Sequence, residues 1–226
     1  MKEAVIYPNQ KAPSLFRSKI LNALTWSHPA LIFTMYLLLS AAAVFIYYSE
    51  FNARIDLIII YFLSGLFSWT FAEYLLHRFI YHKIKDASYD TGFHYMFHGI
   101  HHAYPNDKSK TVLPPVPSLV IAGFFFGLFY VILGHEALIF SPGFVIGYSV
   151  YMWIHTMIHR LPVPSRFNFW WKHHNIHHYQ QHDRAFGVST PLWDIIFRTM
   201  PKEGRKTTVC KFDKNELKNR TTSNQY

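Results

Sequence analysis

Residues 29–48 read PALIFTMYLLLSAAAVFIYY, twenty consecutive positions without a charge. An α-helix needs about 20 residues to cross the hydrocarbon core of a bilayer, so this length predicts a spanning helix and not a core strand. The pattern recurs. Residues 57–72 form a second apolar block that runs on through Glu73 to His77, which would place an acid and a histidine where a helix leaves the membrane. Blocks at 116–134 and 137–154 are separated only by His135 and Glu136. The expected fold class is therefore all-α: an integral membrane four-helix bundle of two hairpins, with spans near 29–48, 57–76, 116–134 and 137–154 and a cytoplasmic helical cap. Pro142 and Gly143 are expected to kink the fourth span or delay its start. Residues 1–28 read as a cytoplasmic or interfacial segment, 29–201 as the membrane-embedded unit, and 202–226 as a mobile basic tail. The first 28 residues lack a short apolar core with a small-residue cleavage site, so the first span is expected to stay in the mature protein.

Composition narrows the chemistry. Cys210 is the only cysteine, which excludes an internal disulfide and a thiolate metal cluster. A metal here must be held by imidazole, carboxylate or backbone. The net charge of +9 is spread unevenly: of 22 Lys and Arg, only Arg54 falls in the two hairpin turns. Segments rich in Lys and Arg stay cytoplasmic, so both termini and the central loop are expected on that side, in a bacterial inner membrane or the endoplasmic reticulum. Anionic lipid headgroups, and not nucleic acid, are the expected counterpart of the charge.

Ten of the 15 histidines fall into four groups on that side: His77 with His82, then His98, His101 and His102, then His155 with His159, and finally His174, His177 and His178. Residues three and four apart share a helical face, so each HxxHH triplet can point into a site, as can the HxxxH pair. The five-residue spacing of His77 and His82 fits no α-helical face, so the helix is expected to end or bend between them. At this histidine content an HxxHH triplet arises by chance roughly 0.06 times per chain, and two are present. Ten imidazoles are too many for one ion, and a pair of ions with open positions suits redox chemistry better than a closed four-ligand zinc site. Glu73 stands four residues before His77 and is expected to accept that ring's second N–H. His28, His94, His135, His173 and His182 fit no group and read as interfacial or supporting residues.

Three runs carry a resemblance: residues 73–82 (EYLLHRFIYH), 94–115 (HYMFHGIHHAYPNDKSKTVLPP) and 173–194 (HHNIHHYQQHDRAFGVSTPLWD). They resemble the fatty acid hydroxylase superfamily, and its fatty acid 2-hydroxylase branch in particular, over about residues 60–200. The resemblance implies that His77, His82, His98, His101, His102, His155, His159, His174, His177 and His178 are metal ligands. It also implies two iron ions, with O2 and two electrons used to insert oxygen at carbon 2 of a long acyl chain in a fatty acid or ceramide. An imidazole site also accepts zinc. The chain departs from the family at Met152, where many members carry an acid three positions before the ligand matching His155. Relatives often carry a fused b-type cytochrome with a His-Pro-Gly-Gly motif, whereas here His28-Pro29 is followed by Ala30 and opens a span. The expected electron donor is therefore a separate protein, a b-type cytochrome or a ferredoxin. Within the superfamily the alternatives are hydroxylation or desaturation of a sterol, carotenoid or alkyl lipid. A non-enzymatic metal-binding membrane protein is disfavoured, because the first and third blocks contain no acidic, basic or His residue to form an ion path.

Overall fold

A computed structural model describes residues 4–23, 25, 27–51, 54–82 and 94–211. Helix α1 (Lys19–Ala23) precedes the first long helix, α2 (Pro29–Glu50). His28 caps α2, its Nδ1 accepting the Ala30 N–H at 3.2 Å, and Pro29 occupies the first turn, where its missing N–H costs nothing. Helix α3 (Ile55–Leu75) continues without a break into a π-helical turn, Leu76–Tyr81. After a second π-turn (Tyr95–Gly99) and the short α4 (Ile100–Ala103), α5 (Pro115–Leu133) and α6 (Ala137–Arg160) are joined by a 3-10 turn, Gly134–Glu136. Helices α7 (Phe169–Tyr179) and α8 (Leu192–Ile196) complete the helical part.

Three helical stretches are long and apolar enough to cross a membrane: Pro29–Glu50, Ile55–Tyr81 and Pro115–Arg160. The third, at 46 residues, folds back on itself at Gly134, whose φ of +63° lies in the left-handed region that glycine adopts without strain. Phe129 consequently meets Phe140 and Phe144, at ring-centroid distances of 4.8 and 5.0 Å, and Phe125 meets Phe144 at 5.0 Å. Helix α6 is the centre of the bundle. Half of its 24 residues are buried, whereas α5 buries only Ser118.

Helices α3 and α6 touch backbone to backbone. A Cβ on Gly65 would lie 2.0 Å from the Phe140 carbonyl oxygen, and one on Gly143 would lie 1.9 Å from that of Phe62. Such close approach is how helices gain contact in lipid, where no hydrophobic force drives them together. It also corrects the reading of Pro142 and Gly143. The helix starts without delay at Ala137 and runs through Pro142, and Gly143 serves packing.

The terminal segments are joined. Strand β1 (Ala4–Ile6) pairs in parallel with β2 (Thr208–Cys210), Ala4 lying opposite Thr208, and the Lys211 N–H donates to Ile6 O at 2.8 Å. Gln181 exchanges two hydrogen bonds with the Lys202 backbone, and Arg205 pairs with Asp183 at 2.6 Å. Over residues 202–211 the expected mobile tail therefore gives way to a segment fixed by backbone pairing. Residues 212–226 lie outside the described residues, as do Lys2, Lys83 and Lys85 from the charge count.

Candidate metal centre

The π-turns explain how irregular spacings converge. Backbone bonds in a π-turn close over five residues instead of four, a winding that recurs at functional sites. His77 lies in the first such turn, and His82 follows it with extended backbone (φ −102°, ψ 137°), so a spacing of five delivers both rings to one place. The helix does end between them, after Tyr81. In the second motif the winding changes from π to α just after His98.

All ten grouped histidines come together, but in two sets that cut across the triplets. His77, His82, His98, His102 and His177 form one, and His101, His155, His159, His174 and His178 the other; within each, one nitrogen per ring lies within 4.8 Å of all the rest. Residues four apart stay together (His98 with His102, His174 with His178), while the third member of each triplet crosses over. The expectation that a triplet shares one site is corrected accordingly. The sets abut where the His102 and His178 rings stack at 4.1 Å. Nine rings are buried and His159 is half-buried.

The donor set fits a metal ion. Three rings donate Nδ1–H to backbone carbonyls: His77 to Phe186 O at 2.5 Å, His177 to Arg184 O at 2.6 Å and His155 to Thr111 O at 3.3 Å. Their Nε2 atoms must then present lone pairs to the interior. His155 Nε2 and both ring nitrogens of His178 are buried without a hydrogen-bond partner. The Nε2 atoms of His98 and His77, of His98 and His102, and of His82 and His177 approach to 3.0, 3.0 and 3.1 Å. In the second set His159 Nε2 lies 3.1 Å from that of His101 and 2.9 Å from that of His174. Nitrogens bound at about 2.1 Å to one ion sit roughly 3 to 4 Å apart, so each set needs only small adjustments to share a cation. Burial, followed by repulsion from neighbouring rings, pushes His82, His98, His101, His102, His174, His177 and His178 well below the usual 6.5. They are neutral at pH 7, the form that ligates.

Two buried carboxylates hold the loop that aims His77 and His177. Glu73 does not bond to His77 as its position suggested. Its Oε1 accepts the N–H groups of Val188 at 2.5 Å and Ser189 at 2.9 Å, and its Oε2 accepts the Ser189 hydroxyl. Asp194 accepts from Phe186 N at 3.0 Å, Gly187 N at 2.8 Å, Thr199 Oγ1 at 2.7 Å and His173 Nε2 at 3.2 Å. Glu73 and Asp194 thus act one bond removed, by fixing the Phe186 carbonyl. Asp194 was not singled out from sequence, although it closes the FGVSTPLWD segment; an acid in an otherwise apolar and small-residue run was the available signal. His173 is a support through Asp194, and His182 Nδ1 bonds Thr207 Oγ1 at 2.8 Å. His135 stacks on Phe51 at 4.5 Å, at the opposite end of the bundle.

A cavity of about 540 Å³ opens beside the centre and reaches both sets, through His98 and through His101 and His155. Apolar side chains line most of it, among them Phe97, Leu113, Val116 and Met152. Met152 packs with Ile32, Tyr36 and Val112, so an apolar residue suits that position here.

The family model for fatty acid hydroxylase matches residues 62–199, which include all ten histidines, Glu73 and Asp194. The chain belongs to the fatty acid hydroxylase family. This hydroxylase-family chain is 36% identical over 148 residues to a fatty acid 2-hydroxylase of Rattus norvegicus, covering 63% of the chain and 40% of the relative. It is 36% identical over 143 residues to a dihydroceramide fatty acyl 2-hydroxylase of Arabidopsis thaliana, covering 61% of the chain and 59% of the relative. It therefore spans about two to three fifths of the length of such relatives. A solved structure of full-length scs7p, in which only the hydroxylase domain is visible, superposes with a TM-score of 0.77 at 26% identity. That match covers 89% of this chain and 76% of the other.

Proposed function

We propose that the protein is a membrane oxygenase that hydroxylates carbon 2 of a long acyl chain, with two iron ions held by the ten histidines in two sets of five. The observation that carries this reading is the pair of buried imidazole sets opening onto one apolar cavity. The names of the relatives above, which describe fatty acid and dihydroceramide acyl 2-hydroxylation, support the substrate class. The overall change is C–H to C–OH, with O2 as oxidant and two electrons and two protons reducing its second oxygen to water. The electrons come from a separate donor protein. Bound iron supplies O2 activation and C–H cleavage, chemistry that no side chain of this protein offers alone.

The protein's own part is position and exclusion. The Phe186, Arg184 and Thr111 carbonyls fix three rings with Nε2 inward. Buried aromatic and aliphatic walls keep bulk water from the oxidant. The cavity is lined by Leu31 at the start of α2, Val116 at the start of α5 and Tyr148 and Met152 of α6. An acyl tail can therefore stay within the bundle while its head reaches the histidines.

The bundle crosses the membrane four times, counting the fold-back at Gly134 as two spans, with the histidines and both termini cytoplasmic. Support comes from the histidines lying at the ends of α3 and α6, opposite the turns at Phe51 and Gly134, and from the Lys and Arg distribution. The test is lipid mass spectrometry after expression with iron and a competent donor. Accumulation of 2-hydroxy acyl lipids is expected, and an unchanged lipid profile from iron-loaded protein overturns the reading.

A further inference from the structure

Among the residues lining the 540 Å³ cavity, Lys110 alone carries a formal charge at neutral pH. Its half-buried ammonium donates to Thr25 Oγ1 at 3.1 Å and makes no ion pair among the described residues. Asp107 is its nearest carboxylate neighbour but is engaged elsewhere. Its Oδ2 accepts Ala12 N at 2.9 Å, and its Oδ1 accepts Ser109 N at 2.9 Å and Ser109 Oγ at 2.7 Å. An ammonium has three N–H donors and no acceptor, so Lys110 retains donors for a further anionic partner. Burial lowers its pKa, against the opposing pull of Asp107, as for a cation short of counter-charge.

The position matters as much as the charge. The neighbouring Thr111 carbonyl accepts from His155 Nδ1, so Lys110 is one residue from backbone that touches the second histidine set. Carbon 2 of an acyl chain is one bond from its carboxyl carbon, and a site that oxidises carbon 2 must hold the head group close to the metals. The other basic residues of the central loop are not on the cavity. Arg78 donates to the Tyr74 hydroxyl at 2.7 Å and lies over the Tyr74 and Phe79 rings, and Lys108 is exposed.

We propose that Lys110 is the recognition residue for the substrate head group, and that the head it selects is the carboxylate of a free long-chain acid. This rests on the carbon-2 reading above and sharpens its substrate class. A ceramide presents a neutral amide whose N–H an ammonium cannot satisfy. The phosphates of an acyl thioester share the anionic chemistry but lie many bonds from carbon 1, beyond a lysine placed beside the histidines.

The test is equilibrium displacement of tritiated palmitic acid from the metal-loaded protein in nanodiscs. Palmitic acid, methyl palmitate, the coenzyme A thioester and an N-palmitoyl ceramide serve as competitors. The wild type is expected to prefer the acid over its methyl ester by about tenfold. Lys110→Met should weaken acid binding by about that factor and leave the ester unchanged, and Lys110→Arg should restore most of the difference. Equal binding of acid and ester by the wild type overturns the proposal. So does an equal loss for both in Lys110→Met, which would mark a structural wall, or a Lys110-dependent preference for the thioester or ceramide. Production of 2-hydroxy lipids without acid selectivity refutes this inference alone. Selective acid binding with no oxidised product refutes the functional reading instead.

Discussion

Replacing Glu73 by alanine removes the acceptor on which Val188 N, Ser189 N and the Ser189 hydroxyl converge. Glu73 is buried, so the two backbone N–H groups lose their partner with little chance of water replacing it. At about 1–3 kcal/mol for each stranded donor, the local cost is about 2–6 kcal/mol. The loop so released carries the Phe186 and Arg184 carbonyls that hold His77 and His177, both members of the first histidine set. Loss of such a support typically weakens metal affinity by about 10–100-fold, and it should fall on one of the two sites. The second set takes its one recorded carbonyl contact from Thr111, outside that loop, and should keep its affinity. Glu73→Gln keeps an oxygen for the paired N–H groups and should cost only about 1–2 kcal/mol. Chelator competition followed by elemental analysis reads the two affinities, and thermal unfolding reads the stability. Unchanged affinity at both sites in Glu73→Ala, or equal loss at both, would refute the link from Glu73 through the loop to His77.

Gly143→Ala places a methyl 1.9 Å from the Phe62 carbonyl and must part α3 from α6, at a cost of about 1–3 kcal/mol. Gly127→Ala meets nothing within 4 Å and is the matched control; equal melting temperatures for the two variants would contradict the backbone contact. For Asp194, burial alone would raise the carboxyl. Hydrogen bonds from His173, Thr199 and Gly187 outweigh it and hold the group below its usual 3.8. A carboxylate depressed in the folded state adds stability that is present above 3.8 and lost as pH falls through the lower folded value. Asp194→Asn is therefore expected to be less stable at pH 7, by about 3 kcal/mol for two weakened charge-assisted bonds. The gap from wild type should close in acid, and pH-dependent unfolding of both proteins would show a constant gap if Asp194 were already protonated.

Length and charge were enough to read three apolar helical stretches, because an uninterrupted run of twenty apolar residues has few other uses. The same rule could not show that 115–160 is one helical stretch with a fold-back, since Gly134 turns the chain in a 3-10 turn and leaves no polar gap. The ten histidines were legible because their spacing is improbable by chance, yet their partition was not. Spacing rules assume constant winding, and the chain changes from π to α between His98 and His101. Glu73 was noticed for the wrong partner, because sequence proximity to His77 concealed Ser189, more than a hundred residues away. The β1–β2 pairing of three residues each was invisible for the same reason, as neither strand carries a periodic signal of its own.

The claim at the centre is that one chain holds two metal ions, one in each set of five histidines. Elemental analysis of purified wild type, His177→Ala, His178→Ala and the double variant tests it directly, the two substitutions being adjacent in sequence but belonging to different sets. Two ions per chain are expected in the wild type, with selective weakening of one in each single variant and of both in the double. One ion per chain in the wild type, or the same ion weakened by either single substitution, would contradict it.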